Sequence, residues 1–260
     1  MRNVRALISY DGSKFFGWQR QEGFLSVQEC VEEALCALTG HELTVHGAGR
    51  TDSGVHALGQ VAHFFVDTKI TDERLRHALN FHLPPSVRIR RLETAPDDFH
   101  ARFSAIGKRY MYVVATTRFR PPFAAELAHW VPQPLDIGAM REASRVLIGR
   151  HDFGAFATAG SPRKSNVRTL RSLHFIVRRE RFAFVVEGDG FLYNMVRTIA
   201  GTLIEAGKHA LHPSEIERIL ASTDRRLAGA TAPPGGLYLV SVRYPVRPFR
   251  GPEAAVRDVP

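Results

Sequence analysis

Two periods alternate along this chain, and their order limits the folds open to it. Val4 to Tyr10 has period two, with Val4, Ala6, Ile8 and Tyr10 on one face, and Asp11-Gly12 ends the run. Ser26 and Glu29 form a capping box ahead of Val31, Ala34, Leu35 and Leu38, which repeat at helical spacing up to Gly40. Leu43–His46 reads as a short strand, and Leu58–Val66 as a longer one. Thr71 caps a second helix carrying Leu75, Ala78 and Leu79, and Pro84-Pro85 stops it. Val87–Thr94 is a further strand, bearing Arg88, Arg90 and Arg91. Strand, helix, strand, strand, helix, strand is the split βαβ, ferredoxin-like order.

The rest of the chain has the same order without a sequence repeat. Ala95–Gly107 is an irregular join. Lys108–Val114 alternates, placing Tyr110, Tyr112 and Val114 on one face and Arg109 and Met111 on the other. A proline-rich excursion, Arg118–Pro134, has no role that its residues suggest. Asp136 caps a helix that ends at Gly149, and a long loop runs from His151 through Arg168. Strands at Thr169–Val177 and Arg181–Glu187, helices at Phe191–Glu205 and Pro213–Leu220, and a strand at Leu237–Tyr244 complete the set. The expected class is α+β: two ferredoxin-like halves, 1–105 and 106–245, then a tail at 246–260. The halves are expected to join into one antiparallel sheet with helices on one side and a central basic cleft.

Charge narrows the partners. The 260 residues carry 35 Lys and Arg against 26 Asp and Glu, a formal charge of +9. That excess favours a polyanion, because neutralised phosphates release counterions. Cys30 and Cys36 are six apart on a helical pattern and face different ways, which suits neither a disulfide nor a metal pair. Two cysteines and no signal-like start point to a reducing, cytoplasmic setting. No apolar run approaches the roughly 20 residues of a membrane span.

The densest chemistry lies at Gly47-Ala-Gly-Arg-Thr-Asp-Ser-Gly-Val-His-Ala57. Three glycines suit a tight loop, Arg50 lies two residues from Asp52, and an adjacent guanidinium keeps a carboxylate ionised. The plainer alternative is an Asx-type surface turn. Upstream, Phe15, Phe16 and Trp18 stand among Gln19, Arg20 and Gln21, a mixture suited to stacking and bonding bases. Phe16 and Trp18 fit equally well as plugs at the edge of the core. His63 reads as a packed or rim histidine, and no second ligand lies at metal spacing from His56.

Gly49-Arg-Thr-Asp-Ser-Gly-Val-His-Ala57 resembles the signature of the tRNA pseudouridine synthase A family. The resemblance extends over Tyr10-Asp-Gly12, Phe16-Gly-Trp-Gln19, Lys108-Arg-Tyr-Met-Tyr112 and His151-Asp-Phe153. It continues through Gly190-Phe-Leu-Tyr-Asn-Met-Val-Arg197 and Ala232-Pro-Pro-Gly-Gly-Leu-Tyr-Leu239. Ser53 stands where the family often has alanine. The resemblance implies isomerisation of uridine to pseudouridine at tRNA positions 38, 39 and 40 of the anticodon arm. It also implies a homodimer that uses no metal or organic cofactor. By the same match Asp52 is the nucleophile, Tyr110 a substrate-contacting tyrosine, and Arg50 the motif arginine. Arg197, on the helix after Gly190, is a candidate partner of Asp52 or else a helix-surface arginine.

Such a reaction breaks N1–C1′ and makes C5–C1′ within one nucleotide, so nothing is oxidised or consumed. An ionised Asp52 can attack the sugar, or remove a ribose proton and open a glycal route. The base must first leave the stack; Arg50 can fill the gap, and the Tyr110 hydroxyl can help move the C5 proton. The Arg163–Arg171 loop and the Arg88–Arg91 strand are expected phosphate contacts. Two rivals remain. Asp52-Ser53-Gly54 fits an aspartic protease, yet that chemistry shares a proton between two carboxylates, which Arg50 opposes. A non-catalytic RNA-binding protein lacks the expected aromatic RNP run and leaves the Asp loop idle.

Overall fold

The computed structural model describes residues 1–158, 165–246 and 248–249. Contacts divide the chain into two compact units. The first is Met1–Ile106 with the described residues from Tyr238, and the second is Gly107–Leu237.

In the first unit the sequential elements are β1 (Arg2–Tyr10), α1 (Val27–Thr39), β2 (His46–Gly47), β3 (His56–Val66), α2 (Asp72–His82) and β4 (Val87–Thr94). The alternation read in the sequence decides which side chains go inside. Val4, Ala6, Ile8 and Tyr10 of β1 are all buried, as are Ala62 and Phe64 of β3. Val31 and Leu35 of α1 and Leu75 and Leu79 of α2 complete that core. Ser26 caps α1 by accepting the Glu29 N–H, and Gly40 ends it in the left-handed region. Asn80 ties α2 to its neighbouring strand, accepting the Ile89 N–H and donating to the Ile89 carbonyl, each at 2.8 Å. β1 lies between β4 and β3, antiparallel to both. The far edge of β3 is shared. Its distal part takes β2, with His46 opposite His63. Its start takes β10 (Leu237–Arg243) in parallel, with Tyr238 opposite His56.

The second unit contains β5 (Gly107–Ala115), β6 (His129–Trp130), α3 (Ile137–Arg145), β7 (Gly149–Asp152), β8 (Val167–Val177), β9 (Arg181–Gly188), α4 (Met195–Gly207) and α5 (Pro213–Ser222). Its strand order is β5-β9-β8-β7, antiparallel at each step, and β6 adds to β5 in parallel. Asp136 caps α3 through the Ala139 N–H. Met140, Ala143, Ile199 and Leu203 bury the faces of α3 and α4.

Three departures from the sequence reading have physical causes. The helix expected from Phe191 begins at Met195, because Asn194 sits at a φ of 61° and the preceding residues are committed elsewhere. The Tyr193 carbonyl accepts the Thr158 N–H, and Phe191 packs edge-on against Tyr110 at 5.0 Å. The loop expected from His151 holds β7, a polar edge strand that pairing with β8 alone defines. The proline-rich excursion includes the two residues of β6, too short to show any period.

Candidate active site

Between β2 and β3 the chain turns through residues 48–55, and each side of Asp52 is tied to buried structure. Ala48 N–H donates to Val61 at 2.7 Å, and Gln60 Nε2 donates to the Gly49 carbonyl at 2.7 Å. Thr51 is held twice: its carbonyl accepts the Trp18 N–H at 3.0 Å, and its hydroxyl is hydrogen-bonded to the Tyr10 hydroxyl at 2.7 Å. The Asp52 carbonyl accepts the Val55 N–H at 3.1 Å, closing a turn that places Gly54 at a φ of 77°. Gly54 N–H and the Ser53 hydroxyl both donate to the Phe15 carbonyl at 3.3 Å. Beyond the turn, His56 is buried and its Nδ1 accepts the Gly12 N–H at 3.0 Å. Gly17, at a φ of 94°, passes so close that a β-carbon there would lie 2.4 Å from the Thr51 carbonyl oxygen.

The Asp52 side chain is half-buried at the rim of this construction. Beneath it, burial pushes the Tyr10 hydroxyl well above the ordinary tyrosine range, so that group stays protonated and serves as a hydrogen-bonding post. Arg50 is exposed, and its Nε donates to Gln19 Oε1 at 3.0 Å. The aromatic stretch upstream is mostly internal. Trp18 is only 2% exposed, with its indole against Gly47, and Phe15 is buried too. Phe16 alone is open, 53% exposed and paired with Phe24 at 4.5 Å. Phe15 is therefore corrected from base-stacking surface to buried floor, Trp18 follows the alternative of a plug in the core, and Phe16 does not.

In the second unit Tyr110 lies on β5, mostly buried. Beside it Arg109 faces Glu187 across the β5–β9 ladder and donates to its Oε2 from Nη2 at 2.8 Å and from Nε at 3.2 Å. Arg197, half-buried on α4, donates from Nε to the Ala232 carbonyl at 2.7 Å and from Nη1 to Asn194 Oδ1 at 2.9 Å. These bonds fix its stem against the strand-bound segment ahead of β10. Arg88 and Arg90 of β4 are exposed, Arg91 less so. Arg163 and Lys164 lie outside the described residues. Among the described residues, no group of three or more His, Cys, Asp or Glu could hold a metal ion.

The sequence pattern leaves out Gln60 as part of the site, and gives Tyr10 as a strand residue and motif end and Gln19 as a base contact rather than as partners of the loop. Gln60 gave a usable signal, being an uncharged polar residue inside the apolar run of β3.

A family model described as tRNA pseudouridine synthase matches residues 6–104 and 143–245. The chain belongs to the tRNA pseudouridine synthase family. As a member of that family it is an enzyme, an isomerase. The tRNA pseudouridine synthase A of Acetivibrio thermocellus is 43% identical over 244 residues, covering 94% of this chain and 100% of the relative. That of Listeria monocytogenes serovar 1/2a is 45% identical over 247 residues, with the same coverages of 94% and 100%. A solved structure titled a crystal structure of a Cbf5-Nop10-Gar1 complex matches at 12% identity and a TM-score of 0.34. That match covers 82% of this chain and 44% of the solved one, a likeness too slight to carry an argument. The family match has segments in both units, and its first segment takes in the anchored loop around Asp52.

Proposed function

We propose that this chain converts uridine to pseudouridine at positions 38–40 in the anticodon arm of tRNA, with Asp52 as the nucleophile. The observation that carries the reading is the loop itself. Asp52 stands at the rim while Thr51, Gly54 and His56 are pinned by Tyr10, Trp18, Phe15 and Gly12. A reacting carboxylate needs a fixed position more than it needs strength, because misplacement by about 1 Å costs on the order of 100-fold in rate. Relatives named tRNA pseudouridine synthase A, alike over 94% of this chain, support the substrate class.

The chemistry follows from the residues. The target uridine leaves the stack, and the exposed guanidinium of Arg50 enters the gap. Asp52, ionised, acts on the ribose as the N1–C1′ bond breaks. The uracil turns, C5 joins C1′, the C5 proton is lost and N1 gains one. Tyr110 stacks on the uracil, and its hydroxyl assists the C5 proton. Arg197 offers positive charge to the reacting nucleotide. The halves 1–105 and 106–245 are read as ferredoxin-like, and the working assembly as a cytoplasmic homodimer, in keeping with Cys30 and Cys36 as free thiols. No redox partner is called for, since the atoms balance within one nucleotide.

The test is direct. Unmodified tRNA transcript is incubated with pure protein and EDTA, and pseudouridine is mapped by carbodiimide primer stops. New stops confined to positions 38–40 are expected. Stops elsewhere remove the anticodon-arm assignment, and none at any uridine removes the reading altogether.

A further inference from the structure

Four aromatic rings form a ladder in the first unit. It starts on β2 and β3, where His46 and His63 are register partners with rings stacked at 5.0 Å and 29°. His100 continues it, 4.5 Å from His63, and Phe103 ends it, 4.3 Å from His100. Phe65 and Phe99 brace His63 edge-on at 6.1 and 6.2 Å. The inner rung is buried, with His63 at 2% exposure, while the Phe103 ring at the outer end is 77% exposed.

The turn that presents Phe103 is rigidly built. His100 and Ser104 exchange two bonds, backbone Ser104 N–H to the His100 carbonyl at 3.0 Å and His100 N–H to the Ser104 hydroxyl at 3.1 Å. His100 Nδ1 accepts the N–H groups of Arg102 at 3.1 Å and Phe103 at 3.3 Å. Ala101 donates to His63 Nδ1 at 3.2 Å and accepts the Tyr244 hydroxyl at 2.6 Å. Arg102 holds its guanidinium 5.6 Å from the centre of the Phe103 ring. Burial, with the neighbouring imidazoles, pushes His63 down to about 4, and His100 is also pushed down. Both shifts favour the neutral ring, in which stacking meets no charge repulsion.

We propose that the exposed face of Phe103, backed by this ladder and flanked by Arg102, is a stacking platform for an unpaired base of the bound RNA. The Phe103 ring stands open to water on a turn held by its own hydrogen bonds, and a flat partner laid on it would take that apolar surface out of water. A base supplies a π-face and, one bond away, a phosphate for the guanidinium. The formal charge of +9 favours such a polyanion over an apolar partner. This inference rests on the reading above that tRNA is the substrate.

The platform is tested by affinity and by fluorescence at fixed salt. Phe103→Ala should raise the Kd for a tRNA transcript about 5- to 150-fold, the range expected for one lost stacked base. Phe103→Trp should hold Kd within about threefold, and its added indole emission should be quenched by saturating transcript. Phe81→Ala, equally exposed but on α2 and off the ladder, should leave Kd unchanged. A Phe103→Ala Kd within twofold of wild type, or an unquenched Phe103→Trp indole, overturns the platform. A Phe103→Ala protein that sediments as a smaller species overturns it in favour of a contact with a second copy. If wild-type protein forms no pseudouridine, the enzymatic reading fails instead, and the two affinity results still decide the platform on their own.

Discussion

The Asp52 loop and the Arg118–Pro134 excursion are both irregular, and they are held in opposite ways. Residues 48–56 are anchored by partners distant in sequence: Tyr10, Gly12, Phe15, Trp18, Gln60 and Val61. The excursion carries local ties ahead of β6, while from β6 onward Val131 N–H donates to the Ala115 carbonyl at 2.9 Å and His129 packs edge-on against Tyr112. Thr117 donates to the Phe119 carbonyl, Arg120 to the Ala125 carbonyl, and Trp130 Nε1 to the Thr117 carbonyl. Beyond β6 pairing with β5, its aromatic side chains Phe119 and Phe123 are left exposed. Local ties hold a segment's shape, whereas distant buried ties fix it against the rest of the fold. The loop around Asp52 has the second kind.

This contrast can be broken or sharpened by substitution. The largest effect is expected from Gly17→Ala. A β-carbon at a φ of 94° and 2.4 Å from the Thr51 oxygen forces the loop to move. Turnover should fall about 100-fold, with roughly 1–3 kcal/mol lost in a urea melt. Wild-type kcat in that variant would mean the loop's position is unimportant. Tyr10→Phe removes the hydroxyl that meets Thr51 and Gln60 beneath the loop, so a kcat about tenfold lower with tRNA Kd within twofold is expected. An equal loss in both would mark Tyr10 as merely structural.

Acid should separate the two regions by a smaller margin. His129 on β6 is pushed below the usual histidine range, first by burial and then by Lys208, and its Nδ1 is buried without a hydrogen bond. A lowered folded pKa means the unfolded state binds more protons. The stabilisation is therefore full above pH 6.5 and is lost as pH falls below it. Hydrogen exchange across 118–134, corrected for intrinsic rates, should speed up several-fold from pH 7 to 5.5 and outpace residues 48–56. Equal acceleration in both segments would erase the distinction. The smallest effect is expected from Phe123→Ser, which should change stability by under about 0.5 kcal/mol and leave pseudouridine formation within twofold.

How far the sequence could be read follows from the same contrast. Strands with clean alternation, such as β1, and helices with capping residues, such as α1 and α3, were legible because their signals are local. β6 and β7 were not, since only a partner strand makes them strands. At the site, Asp52 and Arg50 stood out by motif. The floor beneath them did not, because Tyr10, Trp18 and Gln60 act through contacts spanning 11 to 41 residues of sequence. Trp18 looked open among polar neighbours, and burial under the loop is a property of the fold rather than of those neighbours.

One variant goes to the centre of the account. Asp52→Asn keeps the size of the side chain and every backbone tie of the loop while removing its charge. The account predicts a tRNA Kd within threefold of wild type and no carbodiimide stops after prolonged incubation. Turnover within tenfold of wild type would contradict it and move the chemistry to another residue.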